Sequence, residues 1–183
     1  MNIREAVIED ARGMAEVHVK SWQETYEHII EESYLSKLKV DDRYELWKKL
    51  IPSRSENKPI YIAEEDKIVG FASFGPERKQ SHSIDSELYA IYLLKEAKGK
   101  RVGTSLLYEG VTQLRKCGSH SLLVWVLESN SSKAFYENYG GEVYLQEEIT
   151  IGNQKLVEVA YVWKNLSVLQ DKLALALSFK GDS

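Results

Sequence analysis

Apolar and polar positions run in two rhythms along the chain, and each switch between them marks a new element. Residues 2–6 read as a short strand. After them Ala11, Met14, Ala15, His18 and Trp22 recur at three- and four-residue steps, which is one face of a helix. A second helical region, about residues 31–50, carries Tyr34, Leu35, Leu38, Tyr44 and Trp47; Pro52 and the polar run SRSENK close it. The period then drops to two. PIYIAEE and KIVGFASFG predict two strands joined by a tight turn at Glu65-Asp66, and residues 81–83 predict a loop. SELYAIYLL is apolar on both faces, as a buried central strand is. Val102, Leu106, Leu107, Gly110, Leu114 and Cys117 restore a helical stripe, which puts Cys117 on a core face and makes Gly118 the stop.

SLLVWVL predicts another buried strand, and residues 132–139 a short helix ended by Gly140-Gly141. EVYLQEEITI and QKLVEVAYVW predict a closing hairpin around Gly152-Asn153. The order is strand, two helices, three strands, helix, strand, helix, two strands, so the chain is α/β. The central strand–helix–strand implies one parallel pair, and the hairpins imply antiparallel flanks. Beyond the last strand, Leu166, Leu169, Leu173 and Ala176 are spaced for one helical face, which leaves three outcomes: docking on the domain, docking on a partner subunit, or fraying.

At 183 residues, 43% apolar and 28% charged, the chain predicts one domain with a real core rather than disorder. A net charge of −4 argues against general nucleic-acid binding but leaves room for a local anion site. The single cysteine, Cys117, excludes an intramolecular disulfide and suits a reducing compartment. With no leader pattern and no apolar run of membrane-spanning length, a cytoplasmic location is expected. His18, His28, His82 and His120 lack metal-ligand spacing, so no metal is expected.

The densest positive charge falls on a glycine-hinged turn, KEAKGKRVGTSLL, between a buried strand and a helix. A helix start offers unpaired N–H groups and the positive end of the helix dipole, so this is anion-binding geometry. Gly99 and Gly103 permit close main-chain approach; Lys98, Lys100 and Arg101 add charge; Thr104 and Ser105 add hydroxyls. The spacing fits neither a Walker loop nor a dinucleotide-binding turn.

The turn resembles the acetyl-CoA pyrophosphate loop of the GNAT (N-acetyltransferase) superfamily, Gln/Arg-x-x-Gly-x-Gly/Ala. Lys98 takes the Gln/Arg place, Arg101 that of the first glycine, and Gly103 the last position. ELYAIYLLKEAKGKRVGTSLL is similar to the family's central strand, loop and helix, and VWVLESNSSKAFYENYGGEV to the strand and short helix that follow. IREAVIEDARGMAEVHVKSWQETY is similar to the N-terminal strand and helix, and ITIGNQKLVEVAYVW to the closing hairpin of one branch. The resemblance covers about residues 2–164. It implies a GNAT fold: a central mixed, mostly antiparallel sheet with a splayed parallel strand pair and helices on both faces. The domain would be residues 1–166, with 167–183 a C-terminal extension.

The resemblance further implies acetyl transfer from acetyl-CoA to a primary amine by direct attack. The main chain of Ile91, Tyr92 and Leu93 would pair with the pantetheine arm and help stabilise an oxyanion. Lys98, Gly99, Lys100, Arg101, Val102, Gly103 and Thr104 would hold the pyrophosphate. Asn130 would contact the CoA arm, and it also reads as a helix cap. Tyr136, in Phe-Tyr-Glu, would protonate the departing thiolate, since a phenol pKa near ~10 lies above a thiol's ~8.5. Glu87 would act as base through water, its side chain on the face shared by Tyr89, Ile91 and Leu93; Glu128 is a lesser candidate. Trp22, Tyr26 and His18 match an aromatic acceptor pocket, made acidic by Glu24, Glu27, Glu31 and Glu32, and read equally as core aromatics on a solvated helix. The implied partners are acetyl-CoA and an amine, with no metal, nucleic acid or membrane, in a monomer or homodimer. Two other readings stay open: a CoA-binding module without catalysis, and a nucleic-acid or protein-interaction module using the basic turn.

Overall fold

Strands β4 (Ser86–Leu93) and β5 (Leu122–Leu127) run parallel at the centre of a seven-stranded sheet. The computed structural model describes residues 1–79 and 83–179, so most of the expected 81–83 loop, with His82, lies outside the described residues. The remaining strands are β1 (Asn2–Glu5), β2 (Ile60–Glu64), β3 (Ile68–Pro76), β6 (Glu142–Ile151) and β7 (Gln154–Trp163). Sheet order is β1-β2-β3-β4-β5-β7-β6, and every neighbouring pair but β4–β5 is antiparallel. The helices are α1 (Ala11–Tyr26), α2 (Glu32–Leu35), α3 (Val40–Leu50), α4 (Val102–Lys116), α5 (Lys133–Asn138) and α6 (Leu166–Ser178).

Alternation along β3 and β4 assigns the helices to faces. Phe71 and Tyr92 meet the His18 ring of α1 at 6.0 and 4.9 Å. Their neighbours Gly70 and Leu93 point the other way: a Cβ on Gly70 would lie 2.3 Å from Leu93 and 3.6 Å from Leu106 of α4. So α1 and α3 cover one face, and α4, α5 and α6 the other. Phe71, Leu106 and Leu107 are fully buried, each worth about 1.5–3 kcal/mol.

Two local expectations change. The single helix over 31–50 is two, because Lys39 is extended (φ −112°, ψ 135°) and starts α3 afresh. Asp41 and Asp42 in the first turn of α3 complement its dipole. Cys117 is exposed rather than on a core face: regular helix ends at Lys116, and Cys117 is the C-cap, turned off the stripe.

The C-terminal segment 166–178 is a helix laid along α4. Leu166, Leu169 and Leu173 are buried, and Gln170 Nε2 donates to Thr112 Oγ1 at 2.7 Å. Asn165 Oδ1 caps it, accepting from the amides of Ser167 and Val168; such a cap is worth about 1 kcal/mol.

A bulge in β4 shapes the centre. Ser73 pairs with Ala90 and Phe74 with Leu88, so Tyr89 is an extra residue. An extra residue shifts the phase of alternation. Glu87 and Tyr89 therefore share the α1 face with Tyr92, whereas Ile91 and Leu93 face α4. The expected common face for Glu87, Tyr89, Ile91 and Leu93 is corrected on this ground.

Candidate active site

The parallel pairing of β4 and β5 lasts three residues, Ser86↔Leu122 to Leu88↔Val124, and then stops. Beyond it the strands diverge, which leaves the β5-side edge of residues 89–93 open to an extended ligand. A cavity of about 470 Å³ fills the gap, lined by both strands, by α5 and by the turn before α4. That volume is in the range of small-ligand sites, roughly 300–1,000 Å³.

The floor of this cavity is the basic turn. Gly99 has φ 75°, and a Cβ there would meet nothing within 4 Å, so the turn is open to solvent. Arg101 is the one non-glycine residue with positive φ among the described residues, at 60°. As N-cap of α4 it makes no side-chain capping bond, so the first-turn amides at Val102, Gly103 and Thr104 keep their anion-binding capacity. The open cradle and the uncapped helix end fit a pyrophosphate. Lys98, Gly99, Arg101, Val102, Gly103 and Thr104 line the cavity; Lys100 is exposed beside it. Helix α1 braces the turn: Glu24 Oε2 accepts from the Lys95 amide at 2.9 Å, and Lys98 Nζ donates to Thr25 Oγ1 at 3.1 Å. The Arg101 guanidinium donates to the Phe179 carbonyl at the end of α6.

Three phenols converge on the opposite wall, Tyr26, Tyr92 and Tyr136. Tyr136 is 4% exposed, and its hydroxyl has no hydrogen-bond partner among the described residues. Burial, reinforced by Tyr26 and Tyr92, pushes its pKa well above the ordinary phenol value. Asn130, buried at the end of β5, uses both ends of its amide. Its Oδ1 accepts from Ser132 N at 2.9 Å, and its Nδ2 donates to the Tyr26 hydroxyl at 3.2 Å.

Other expected residues lie around rather than in the cavity. Glu87 is 1% exposed and bound by Arg78, whose backbone N and Nε donate at 3.0 Å each. Glu128 is exposed at the end of β5. Trp22 stands behind Tyr26 and Tyr92, at 5.0 and 6.4 Å between rings. His18 is packed among Tyr92, Trp47 and Phe71; burial, with Arg43 adding, pushes its pKa down to about 3. Of the four glutamates expected to make an acidic mouth, Glu24 instead braces the turn. Among the lining residues missed, the large aromatics are Tyr89, Trp125 and Phe135. Phe135 stood in the Phe-Tyr-Glu run, but nothing in the sequence marked the other two.

A splayed strand pair above an uncapped, glycine-hinged helix start is the arrangement expected of an acyltransferase that uses acetyl-CoA. The chain belongs to the Acetyltransferase (GNAT) family, whose model matches residues 19–140. An uncharacterized N-acetyltransferase of Bacillus subtilis, YuaI, is 40% identical over 175 residues, covering 94% of this chain and 98% of that one. A spermidine N(1)-acetyltransferase of Thermoplasma acidophilum is 26% identical, over 88% of this chain and 98% of its own. The PaiA N-acetyltransferase of Thermoplasma acidophilum, solved in complex with coenzyme A, superposes with a TM-score of 0.67 at 27% identity, covering 86% of this chain and 96% of that one. Among the described residues no helix is long and apolar enough to cross a membrane, and no group of His, Cys, Asp or Glu could hold a metal ion.

Proposed function

We propose that the protein acetylates a primary amine by direct attack of that amine on the acetyl group. Acetyl-CoA supplies the activated acetyl group and a thiolate leaving group. The observation that carries the reading is the gap between β4 and β5, with the unpartnered Tyr136 hydroxyl on its wall. In this reading the main chain of Ile91, Tyr92 and Leu93 holds the pantetheine arm as an added strand. The first-turn amides of α4, with Lys98, Gly99 and Arg101 and with Lys100 alongside, hold the pyrophosphate. Asn130 fixes the turn between β5 and α5 and contacts the CoA arm. Tyr136, kept protonated by burial, gives its proton to the departing sulfur.

Glu87 is the proposed base, acting through water, and its pairing with Arg78 sets a condition. Both Glu87 oxygens already accept from Arg78, so Arg78 must swing off as the acceptor arrives. Tyr26, with Trp22 behind it, forms the acceptor side of the cavity. Cys117 lies exposed at the end of α4, outside the cavity lining, which favours direct attack over an acyl-enzyme. A single unpaired cysteine also suits a cytoplasmic setting. The test is thiol release from acetyl-CoA across polyamines, aminoglycosides, amino acids and peptide N-termini. Release with an amine, and acetylated product by mass, is the expected result; silence across the panel sinks the proposal.

A further inference from the structure

One pair of side chains breaks the pattern of the α1 face within the β6–β7 hairpin. Along β7 that face reads Leu156, Glu158, Ala160, Val162, and along β6 it reads Leu145, Glu147, Ile149. Between the polar strand ends Glu142 and Gln154, these rows are apolar except for Glu147 and Glu158, and these two are direct cross-strand partners. Like charges directly opposite destabilise a ladder. Apolar clusters flank them on both sides: Leu123, Ala160, Val162 and Trp125 on one, Leu127, Ile149 and Leu156 on the other. Glu158 also sits directly opposite Leu127 of β5.

Of the two glutamates, only Glu147 holds a cation in contact among the described residues, while Lys79 and Arg78 both act on Glu158 from further off. Lys79 pairs with Glu147 and lies over the Trp125 ring, 4.7 Å from its centroid. Glu158 is half-buried and has no hydrogen bond or ion pair among the described residues. Burial, with Glu147 adding, raises its pKa. The same arrangement recurs on the other bank: Arg78 binds Glu87 and lies over the Tyr89 ring at 4.9 Å. Tyr89 and Trp125 both line the acyl-transfer cavity. The mouth of that cavity thus carries two boxes, each an aromatic face plus carboxylate, the combination that binds ammonium groups. Their present tenants are the chain's own Arg78 and Lys79. Beside them Glu77, 3% exposed, keeps Oε2 without a partner. Among the described residues four carboxylates therefore lie near two cations.

We propose that the acceptor carries a second positive charge besides the amine that reacts, and that Glu158, with Glu147 and Trp125, holds that second ammonium. The inference rests on the amine-acetylation reading above and adds the acceptor's charge to it. Glu158 is then a specificity-determining residue, and the like-charge strain in the ladder is relieved when the substrate binds.

The test compares 1,4-diaminobutane with butylamine at neutral pH, by thiol release at saturating acetyl-CoA. Native protein should favour the diamine at least tenfold in kcat/KM. Glu158→Gln should cut that ratio to about threefold or less, chiefly through the diamine's KM, and Glu158→Asp should restore part of it. Lys79→Gln, which removes the internal competitor, should lower the diamine's KM. A ratio near one in the native protein, or one that Glu158→Gln leaves unchanged, overturns the inference while amine acetylation stands. No thiol release with any amine overturns both.

Discussion

Asn130 Nδ2 donates to the Tyr26 hydroxyl at 3.2 Å, across 104 residues of sequence, and so fastens the last turn of α1 to the turn after β5. Both residues are at least nine-tenths buried. The bond ties together two walls of the cavity that come from distant parts of the chain. Tyr26→Phe should leave the Asn130 amide unpaired in a dry site and cost about 1–3 kcal/mol of stability. Urea unfolding of the two proteins measures it; an unchanged midpoint would show that water replaces the phenol.

Tyr136→Phe removes one oxygen from a fully packed ring, so the fold should survive. Turnover should fall at least about tenfold while acetyl-CoA affinity barely moves, the pattern of a group that acts only as the sulfur departs. Because burial raises this phenol's pKa, Tyr136 stays protonated to high pH. The native rate should accordingly show no loss from this group up to pH ~10. Unchanged turnover in the variant would remove Tyr136 from the mechanism.

Arg101→Gly separates backbone from charge in the anion turn. Arginine at φ 60° is strained, and glycine is not. Stability should rise by about 0.5–1 kcal/mol, the relief of left-handed strain less the entropy that glycine restores to the unfolded chain. CoA affinity should change less than about threefold, since the amides of α4 remain in place. Calorimetric titration with CoA decides; a tenfold loss would assign the pyrophosphate to the guanidinium instead.

His18 sets a pH window for stability. Its folded pKa of about 3 lies below the unfolded value of 6.5, so the native state binds fewer protons between them. The contribution is fully present above pH 6.5 and is lost as pH falls towards 3. At pH 5 the native protein should have lost about 2 kcal/mol through this residue. His18→Phe fits the same aromatic surroundings without titrating, so its stability should fall less between pH 7 and pH 5. Parallel slopes for the two proteins would mean that water reaches the imidazole.

The order of elements and the helical stripes were legible because apolar spacing on α1 and α4 is regular and turn residues punctuate it. The glycine-hinged turn before α4 was legible because Gly99 and Gly103 flank a run of cations. What stayed hidden depended on contacts between distant segments. From Leu88 to Leu94 the stretch LYAIYLL has no charged or strongly polar position, so no alternation existed from which to read the extra residue at Tyr89. Nothing local to Glu87 indicates that Arg78 will fold back onto it. Trp125 looks like any core aromatic of a buried strand. Glu147 and Glu158 look like ordinary outward positions of a hairpin until the register sets them face to face. The break at Lys39 was missed because Leu35, Leu38 and Trp47 keep apolar positions recurring across a stretch whose backbone is extended.

The bulge at Tyr89 has a consequence for how such a site can be gained or lost. The opening between β4 and β5 is written as a residue count rather than as side-chain chemistry. Replacing Tyr89 by any other amino acid keeps the count and should keep the opening. Deleting one residue from β4 would restore strict alternation, exchange the inward and outward sides of half the strand, and let the two strands zip together. Scanning by substitution, however exhaustive, is blind to this feature; only insertions and deletions can find it.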